Sequence, residues 1–76
     1  MPDRNTESSG NLKLVASHGD RRFEIVAEPP VGFYVLVYQG GRCTHDYLQD
    51  TLERAKSFAE EEFGVPAASW THADNI

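Results

Sequence analysis

The sequence predicts an α+β fold, in which an antiparallel sheet of four strands carries one C-terminal helix on one face. Apolar and polar residues alternate over residues 12–48, which is the period of a β-strand. Turn residues interrupt the alternation at 19–20, 29–32 and 40–41, as in a series of hairpins. After residue 50 the apolar spacing changes to three and four, the period of a helix. We therefore expect a four-strand meander followed by a helix on the sheet.

Glycine and proline bound the predicted strands. Gly19-Asp20 and Gly40-Gly41 fit two-residue hairpin turns, because glycine tolerates the positive φ that such turns need. Pro29-Pro30-Val31-Gly32 predicts a four-residue loop, since proline cannot donate to a ladder of hydrogen bonds. The predicted strands are therefore about 12–17, 22–28, 33–39 and 42–48.

The predicted helix covers residues 50–63. Asp50 and Glu53 match a capping box, in which each side chain accepts a hydrogen bond from the other's backbone amide. A start at Asp46 remains open as an alternative. Gly64 is placed to take the left-handed conformation after the last turn. The apolar stripe that would face the sheet consists of Leu52, Ala55, Ala59 and Phe63.

A chain of 76 residues is expected to form one domain. Residues 1–11 are polar after Met1 and predict a flexible tail. Residues 12–70 form the predicted domain, in which Trp70 packs against the sheet, and residues 71–76 are expected to fray. Whether Trp70 or the N-terminal tail covers the second sheet face stays open.

Composition excludes several classes of protein. Hydrophobic residues make up 39% and charged residues 25% of the chain, which is typical of a globular protein and excludes general disorder. The chain is acidic, with a net charge of −5, and this disfavours nucleic-acid binding, which needs a basic surface. Because residues 1–10 are polar, we expect no signal peptide, and no apolar run is long enough to predict a membrane span. The expected location is therefore cytoplasmic, without membrane partners.

The predicted turn lengths assign each side chain to one of two sheet faces. Opposed residues in antiparallel strands share a face. The face that the helix should cover holds Leu12, Leu14, Ala16, Phe23, Ile25, Ala27, Tyr34, Leu36, Tyr38, Cys43, His45 and Tyr47. The other face holds Lys13, Val15, Arg22, Glu24, Val26, Glu28, Phe33, Val35, Val37, Thr44 and Asp46. A one-residue slip at either loop would exchange these assignments locally.

The second face suggests an interaction site. Its centre is apolar, and one helix can cover only one side of a sheet. An uncovered apolar patch is typical of a protein interface. The predicted interaction face consists of Val26, Phe33, Val35 and Val37, with an unknown protein partner or a second copy in a weak homodimer as the occupant.

Cys43, His45 and Asp46 are the candidate catalytic group. A thiolate nucleophile needs a base within hydrogen-bonding distance, but Cys43 and His45 lie two residues apart on a strand, with Cα atoms about 6.5–7 Å apart. We therefore interpret Cys43 as a buried, inert residue of the core. One cysteine also excludes an intramolecular disulfide and a multi-cysteine zinc site. No catalytic, cofactor or metal site is predicted, and the protein is expected not to be an enzyme.

Tyr34, Tyr38 and Tyr47 fall on one predicted face. Aromatic side chains on a sheet can stack on bases of single-stranded nucleic acid. The same face must also receive the helix, so core packing is the favoured interpretation and nucleic-acid binding the alternative. The solvent exposure of Val35 and Val37 against that of Tyr34 and Tyr47 discriminates between protein binding through the second face and nucleic-acid binding through the tyrosines.

The segment Gln49–Ala55 after the last hairpin resembles the strand-to-helix junction of HicB-type antitoxin domains. The resemblance covers about residues 22–60, and it implies a helix across a small antiparallel sheet and an antitoxin-like accessory role. The chain lacks the proline-aspartate and glycine-cysteine features between strands, and the separate DNA-binding segment of many such domains. No functional residue is therefore transferred. The leading hypothesis is a small, non-enzymatic protein-interaction or accessory module.

Overall fold

The computed structural model describes residues 12–73. They form a five-stranded antiparallel sheet with one helix across it, and the strand order is β4-β3-β2-β1-β5. The elements are β1 (Lys13–His18), β2 (Arg21–Glu28), β3 (Gly32–Gln39), β4 (Arg42–Gln49), α1 (Leu52–Phe63), a 3-10 turn (Ala67–Ser69) and β5 (Thr71–His72). The predicted α+β class, four-strand meander and C-terminal helix are confirmed.

The fifth strand comes from residues that the sequence placed in the frayed C-terminus. Thr71 pairs with Val15 and His72 with Leu14, and the Ala73 amide donates to the Lys13 carbonyl at 2.9 Å. A two-residue strand shows no alternation, so the sequence carries no signal for it. The sheet thus extends beyond the predicted domain end at residue 70. The predicted tail, residues 1–11, and the last three residues lie outside the described part of the chain.

Two hairpin turns are as predicted. At the first, Ala16 lies opposite Phe23 and Leu14 opposite Ile25. At the second, Tyr38 lies opposite Cys43 across Gly40-Gly41. Both turns contain glycine at positive φ, where a side chain would be strained.

The loop between β2 and β3 is one residue shorter than predicted. Gly32 pairs with Glu28 as the first residue of β3, and the Val31 amide donates to the Glu28 carbonyl at 2.7 Å, which closes a three-residue turn. Phe23 therefore lies opposite Val37, not Tyr38. Because side chains alternate between faces, this shift places every residue of β3 on the face opposite to the predicted one.

A β-bulge in β4 shifts the register a second time. Tyr38 pairs with Cys43, but Val37 pairs with His45, so Thr44 is the extra residue, and its hydroxyl donates to the Val37 carbonyl at 3.2 Å. The bulge places Cys43 and His45 on opposite faces of the sheet. The predicted face is therefore right for His45 and wrong for Cys43.

The helix and the segment after it cover one face of the sheet, which we call the covered face. Phe63 of α1 packs on Phe23 with ring centroids 5.3 Å apart, and Phe58 packs on Tyr47 at 4.6 Å. Trp70 packs into the same core, as predicted. The buried core comprises Leu14, Ala16, Phe23, Ile25, Val35, Val37, Ala55, Ala59, Val65 and Trp70.

Thr51, rather than Asp50, caps the helix. The Thr51 hydroxyl accepts a hydrogen bond from the Arg54 amide at 3.0 Å, and the helix begins at Leu52. Asp50 instead lies 3.7 Å from the Arg54 guanidinium, with both side chains exposed. The predicted capping box is therefore wrong, whereas the predicted left-handed Gly64 is confirmed at φ 77°.

Alanine substitutions at residues 50 and 51 test the cap. Thr51→Ala should destabilise the protein by about 1 kcal/mol, because it leaves a helix amide without its acceptor. Asp50→Ala should change stability by less than about 0.5 kcal/mol, since an exposed ion pair contributes little. Urea denaturation of the two variants measures both values. A larger loss for Asp50→Ala than for Thr51→Ala would contradict the observed cap.

Candidate interaction face

The sheet face opposite the helix is the candidate site, and we call it the open face. The register places side chains of four strands on it. Its residues are Lys13, Val15, Ser17, Arg22, Glu24, Val26, Glu28, Tyr34, Leu36, Tyr38, Cys43, Asp46 and Leu48. Within residues 12–73, neither α1 nor Trp70 covers this face, because both pack into the core on the other side.

The predicted interaction face does not exist as one surface. Val35 and Val37 are 0% exposed in the core under the helix, and Phe33 packs against the same core. Val26 alone lies on the open face, opposite Tyr34. The prediction that the four residues share an uncovered face is therefore wrong, because it rested on a loop one residue too long.

The observed register places a different set of apolar residues on the open face. Tyr34, Leu36 and Tyr38 of β3 point to the open face and are partly exposed. Leu48 of β4 lies opposite Tyr34 and is 45% exposed. Val15 and Val26 extend the apolar surface across the first two strands. The open face therefore carries a contiguous apolar and aromatic surface, and three of its residues, Tyr34, Leu36 and Tyr38, are ones that the sequence predicts in the core.

A buried carboxylate lies at the centre of the open face. Glu24 is only 4% exposed, between Val15 on one side and Leu36 on the other. Arg22 makes a close hydrogen-bonded ion pair with one of its carboxylate oxygens. The Lys13 ammonium lies 3.7 Å from the other. Two bases thus neutralise one acid, as a carboxylate removed from water requires.

Arg22 also connects this ion-paired group to the aromatic part of the face. Its guanidinium lies 5.4 Å from the centroid of the Tyr38 ring, in a cation–π arrangement. At this end of the sheet, an open depression of about 490 Å³ is lined by Arg22, Tyr38, Ser17 and both hairpin turns. Arg22 therefore contacts both the Glu24 carboxylate and the Tyr38 ring.

The tyrosine cluster predicted from the sequence is divided between the two faces. Tyr34 and Tyr38 lie on the open face, whereas Tyr47 lies under the helix and contacts Phe58 and His45. The exposure comparison goes against the predicted interaction face, because Val35 and Val37 are buried, whereas Tyr34 and Tyr47 are both partly exposed. The aromatic residues of the open face are those of β3.

The candidate catalytic group does not assemble. Cys43 is exposed on the open face, and its thiol donates to the His45 backbone carbonyl at 3.4 Å rather than to the imidazole. His45 Nδ1 contacts the Thr44 hydroxyl at 3.0 Å. The prediction that Cys43 lies in the core is wrong, because the shorter loop before β3 places Tyr38 and its partner Cys43 on the open face, and the bulge returns only the residues after Thr44 to the covered face. Among residues 12–73, no group of three or more metal-binding side chains lies together.

Comparisons with protein-family models, with curated proteins and with solved structures find no match to this chain. No helix in the described part of the chain is long and apolar enough to cross a membrane.

Cys43 should react in the folded protein. An exposed thiol on a strand surface is accessible to a disulfide reagent without unfolding. We expect the labelling rate in native buffer to be within about tenfold of the rate in denaturant. Stopped-flow labelling under the two conditions measures the ratio. If labelling required unfolding, Cys43 would be buried, and its observed position on the open face would be wrong.

Tyr38 should make stability depend on pH in the alkaline range. Burial raises the pKa of its phenol, the Glu24 carboxylate and Cys43 raise this pKa further, and Arg22 opposes the shift. The folded state therefore holds this proton more tightly than the unfolded chain does. The resulting stability is present below about pH 10, the unfolded pKa, and is lost as pH rises through the folded pKa.

Tyr38→Phe is the matched variant for this effect, because it keeps the ring and removes the titrating group. Urea denaturation between about pH 8 and pH 11 should show a steeper loss of stability for the parent than for Tyr38→Phe. Parallel losses in the two proteins would contradict the assignment to Tyr38.

Proposed function

We propose that this protein is a non-enzymatic interaction module that binds another protein chain through its open face. The observation that carries the proposal is the contiguous apolar surface of Tyr34, Leu36 and Leu48, which no described residue covers. Contiguous apolar patches on a small domain are typical of binding sites. Lys13, Asp46 and other charged residues lie around this surface, as in the polar rim of a protein interface.

The size of the open face fits a transient interaction. Four strands about 4.8 Å apart and about eight residues long span roughly 19 Å by 25 Å, or about 500 Å². Stable interfaces bury about 800 Å² on each partner. The face therefore supports binding that forms and dissociates readily, unless a partner also contacts a neighbouring edge of the sheet.

The ion-paired group favours specific docking over nonspecific adhesion. Glu24 is held by Arg22 and Lys13, so its charge is already compensated before any partner arrives. A partner can then cover Glu24 without leaving its carboxylate unpaired, which would cost several kcal/mol. Arg22, Lys13 and Glu24 also place fixed charges beside the apolar surface of β3 and β4, and these charges disfavour partners that present like charges at the same positions.

Binding of single-stranded nucleic acid is the second candidate, favoured by the positions of Tyr34 and Tyr38 on the open face. Base stacking on exposed aromatic rings needs a basic groove for the backbone. Here the two bases nearest the rings are already paired with Glu24, and Asp46 lies on the same face. We therefore expect no saturable binding of labelled single-stranded DNA or RNA by fluorescence anisotropy at about 50 mM salt. Saturable binding lost in Tyr34→Ala would establish this second function instead.

Substitutions on the open face test protein binding. Val26→Thr with Leu36→Thr keeps strand-forming residues and should reduce the yield of captured protein about tenfold, because it removes apolar contact area. The matched control is Lys56→Gln with Glu60→Gln on the helix. The 76-residue chain and both variants are used to capture partners from a lysate of the source cells. The captured protein is then purified, and its binding to each of the three proteins is measured.

The control should bind as the parent does, and circular dichroism should show that all three proteins are folded. A purified partner that binds the open-face variant as tightly as the parent would contradict this function for the open face.

A further inference from the structure

We infer that the free edge of β4 binds an extended peptide segment of a partner protein, which adds to the sheet as a sixth strand and carries apolar and basic side chains. This edge is a second binding surface, separate from the open face, and the proposed function does not depend on it. The inference rests on the unpaired edge, on a depression beside it and on the charge of the surrounding surface.

The sheet has one long edge and one short edge. Within residues 12–73, β4 pairs with β3 alone, whereas β1 on the other side of the sheet pairs with both β2 and β5. β4 has eight residues, six of them exposed, and β5 has only two. A long exposed edge strand is a template for pairing with another chain. β4 is therefore the edge at which a partner strand can add.

The main-chain groups of Asp46 and Leu48 point away from the sheet. In an antiparallel pair of strands, residues alternate between hydrogen-bonded and non-hydrogen-bonded positions. Gln39 and Arg42 flank the two-residue turn and form the first hydrogen-bonded pair. Continuing along the ladder past the bulge, Tyr47 bonds to β3 and its two neighbours do not. Two amides and two carbonyls of β4 therefore face outward, where an added strand would pair with them.

The bulge limits this site to the second half of β4. The extra residue Thr44 makes the edge irregular near the hairpin, and such bulges protect sheet edges from pairing. Residues 46–49 pair regularly with β3 beyond the bulge. They contain neither proline nor lysine, the residues that most often protect an edge. The fold thus leaves a short, regular stretch of edge open to a partner.

A depression beside this stretch provides a place for a side chain of the added strand. It has a volume of about 210 Å³ and lies between the end of β4 and one flank of α1, lined by Gln49, Arg54, Ser57, Phe58 and Glu61. Phe58 is half-buried and packs on the Tyr47 ring. Opposed side chains of neighbouring strands have Cβ atoms about 4.5–5.5 Å apart. An apolar side chain opposite Tyr47 would therefore lie beside this aromatic pair.

The edge and the depression supply the two parts of peptide recognition by strand addition. Main-chain hydrogen bonds give affinity, and pockets for alternate side chains give specificity. Here the outward groups of Asp46 and Leu48 supply the hydrogen bonds, and the depression next to Phe58 receives a side chain from the covered side of the added strand. The occupant is therefore an extended segment with apolar residues at alternate positions.

The surface around this edge is acidic. Residues 42–63, which form β4, the following turn and α1, contain six acidic and three basic residues, a net charge of −3. Asp20, which accepts a hydrogen bond from Gln39, and Arg21, which lies over the Phe63 ring, add one charge of each sign. A basic segment is attracted to such a surface. A second copy of this chain, with a net charge of −5, is repelled.

Peptide selection with the 76-residue chain tests this site. Random peptides of about ten residues, slightly longer than a strand of this sheet, are displayed and selected for binding. We expect the enriched peptides to carry apolar residues at alternate positions and more basic than acidic residues. Selection that enriches no peptide, or that enriches acidic peptides, would overturn the inference.

Two variants at residue 46 separate the main-chain contact from the side chain. Asp46→Pro removes the outward amide and Asp46→Ala keeps it, whereas both remove the carboxylate. Proline is tolerated on an edge strand where the amide faces solvent, and circular dichroism checks that both variants are folded. A synthetic copy of an enriched peptide should bind Asp46→Pro at least about tenfold more weakly than Asp46→Ala, because it loses a hydrogen bond and meets the proline ring. Equal binding to the two folded variants would contradict strand addition.

Amide hydrogen exchange of the parent decides the question if Asp46→Pro does not fold. The bound peptide should slow exchange of the Asp46 and Leu48 amides at least about tenfold, and more than that of the Tyr47 amide, which already bonds to β3. A peptide that protects neither outward amide binds elsewhere and would overturn the inference.

The same variants separate this edge from the open face and from a second copy. A peptide that Val26→Thr with Leu36→Thr weakens, and that binds Asp46→Pro as tightly as Asp46→Ala, would bind the open face. That result would overturn the edge site and leave the proposed function standing. Self-association of the parent that Asp46→Pro abolishes, without binding of any peptide, would assign the edge to a second copy and would also overturn the inference.

Discussion

The register between β2 and β3 is the constraint on which the rest of the structure depends. A three-residue turn places Gly32 opposite Glu28, and Gly32 then passes so close to β4 that a Cβ atom would overlap the Gln49 carbonyl oxygen. Its φ of 147° also favours glycine. This close approach fixes where β3 begins, and therefore which of its side chains the helix covers.

The burial of β3 side chains supports the same register. Val35 and Val37 are completely buried, and each contributes about 1.5–3 kcal/mol relative to an exposed position. A one-residue slip would expose both valines and move the Tyr34 and Tyr38 hydroxyls under the helix. A buried hydroxyl without a hydrogen-bond partner is costly. The observed register therefore keeps the polar ends of the tyrosines in water and leaves their rings on the open face.

Much of the fold could be predicted from the sequence, because its signals are local. Alternation, the Gly19-Asp20 and Gly40-Gly41 turns and the helical stripe depend on near neighbours in the chain, and these predictions are confirmed. The open face depends instead on two register decisions, the length of the loop before Gly32 and the bulge at Thr44. Neither has a local signal, since both are decided by contacts between strands.

The two errors in the predicted register have different consequences along the sheet. In β3 the shorter loop exchanges the two faces completely, so the predicted interaction residues Val35 and Val37 are in the core. In β4 the bulge compensates for that shift, so Tyr47 lies on the covered face as predicted. The apolar surface that residues 12–73 leave uncovered therefore consists of other residues than the predicted ones. Glu24 lies within it, and a count of charges in the sequence does not reveal that this carboxylate is buried.

Nuclear Overhauser effects between side chains of β3 and Phe63 of the helix test the register most directly. We expect contacts from the Val37 methyl groups to the core aromatic rings of Phe23 and Phe63, and none from the Tyr38 ring to Phe63. Contacts from Tyr38 to Phe63, together with solvent-exposed Val35 and Val37 methyl groups, would contradict the register and the open face with it.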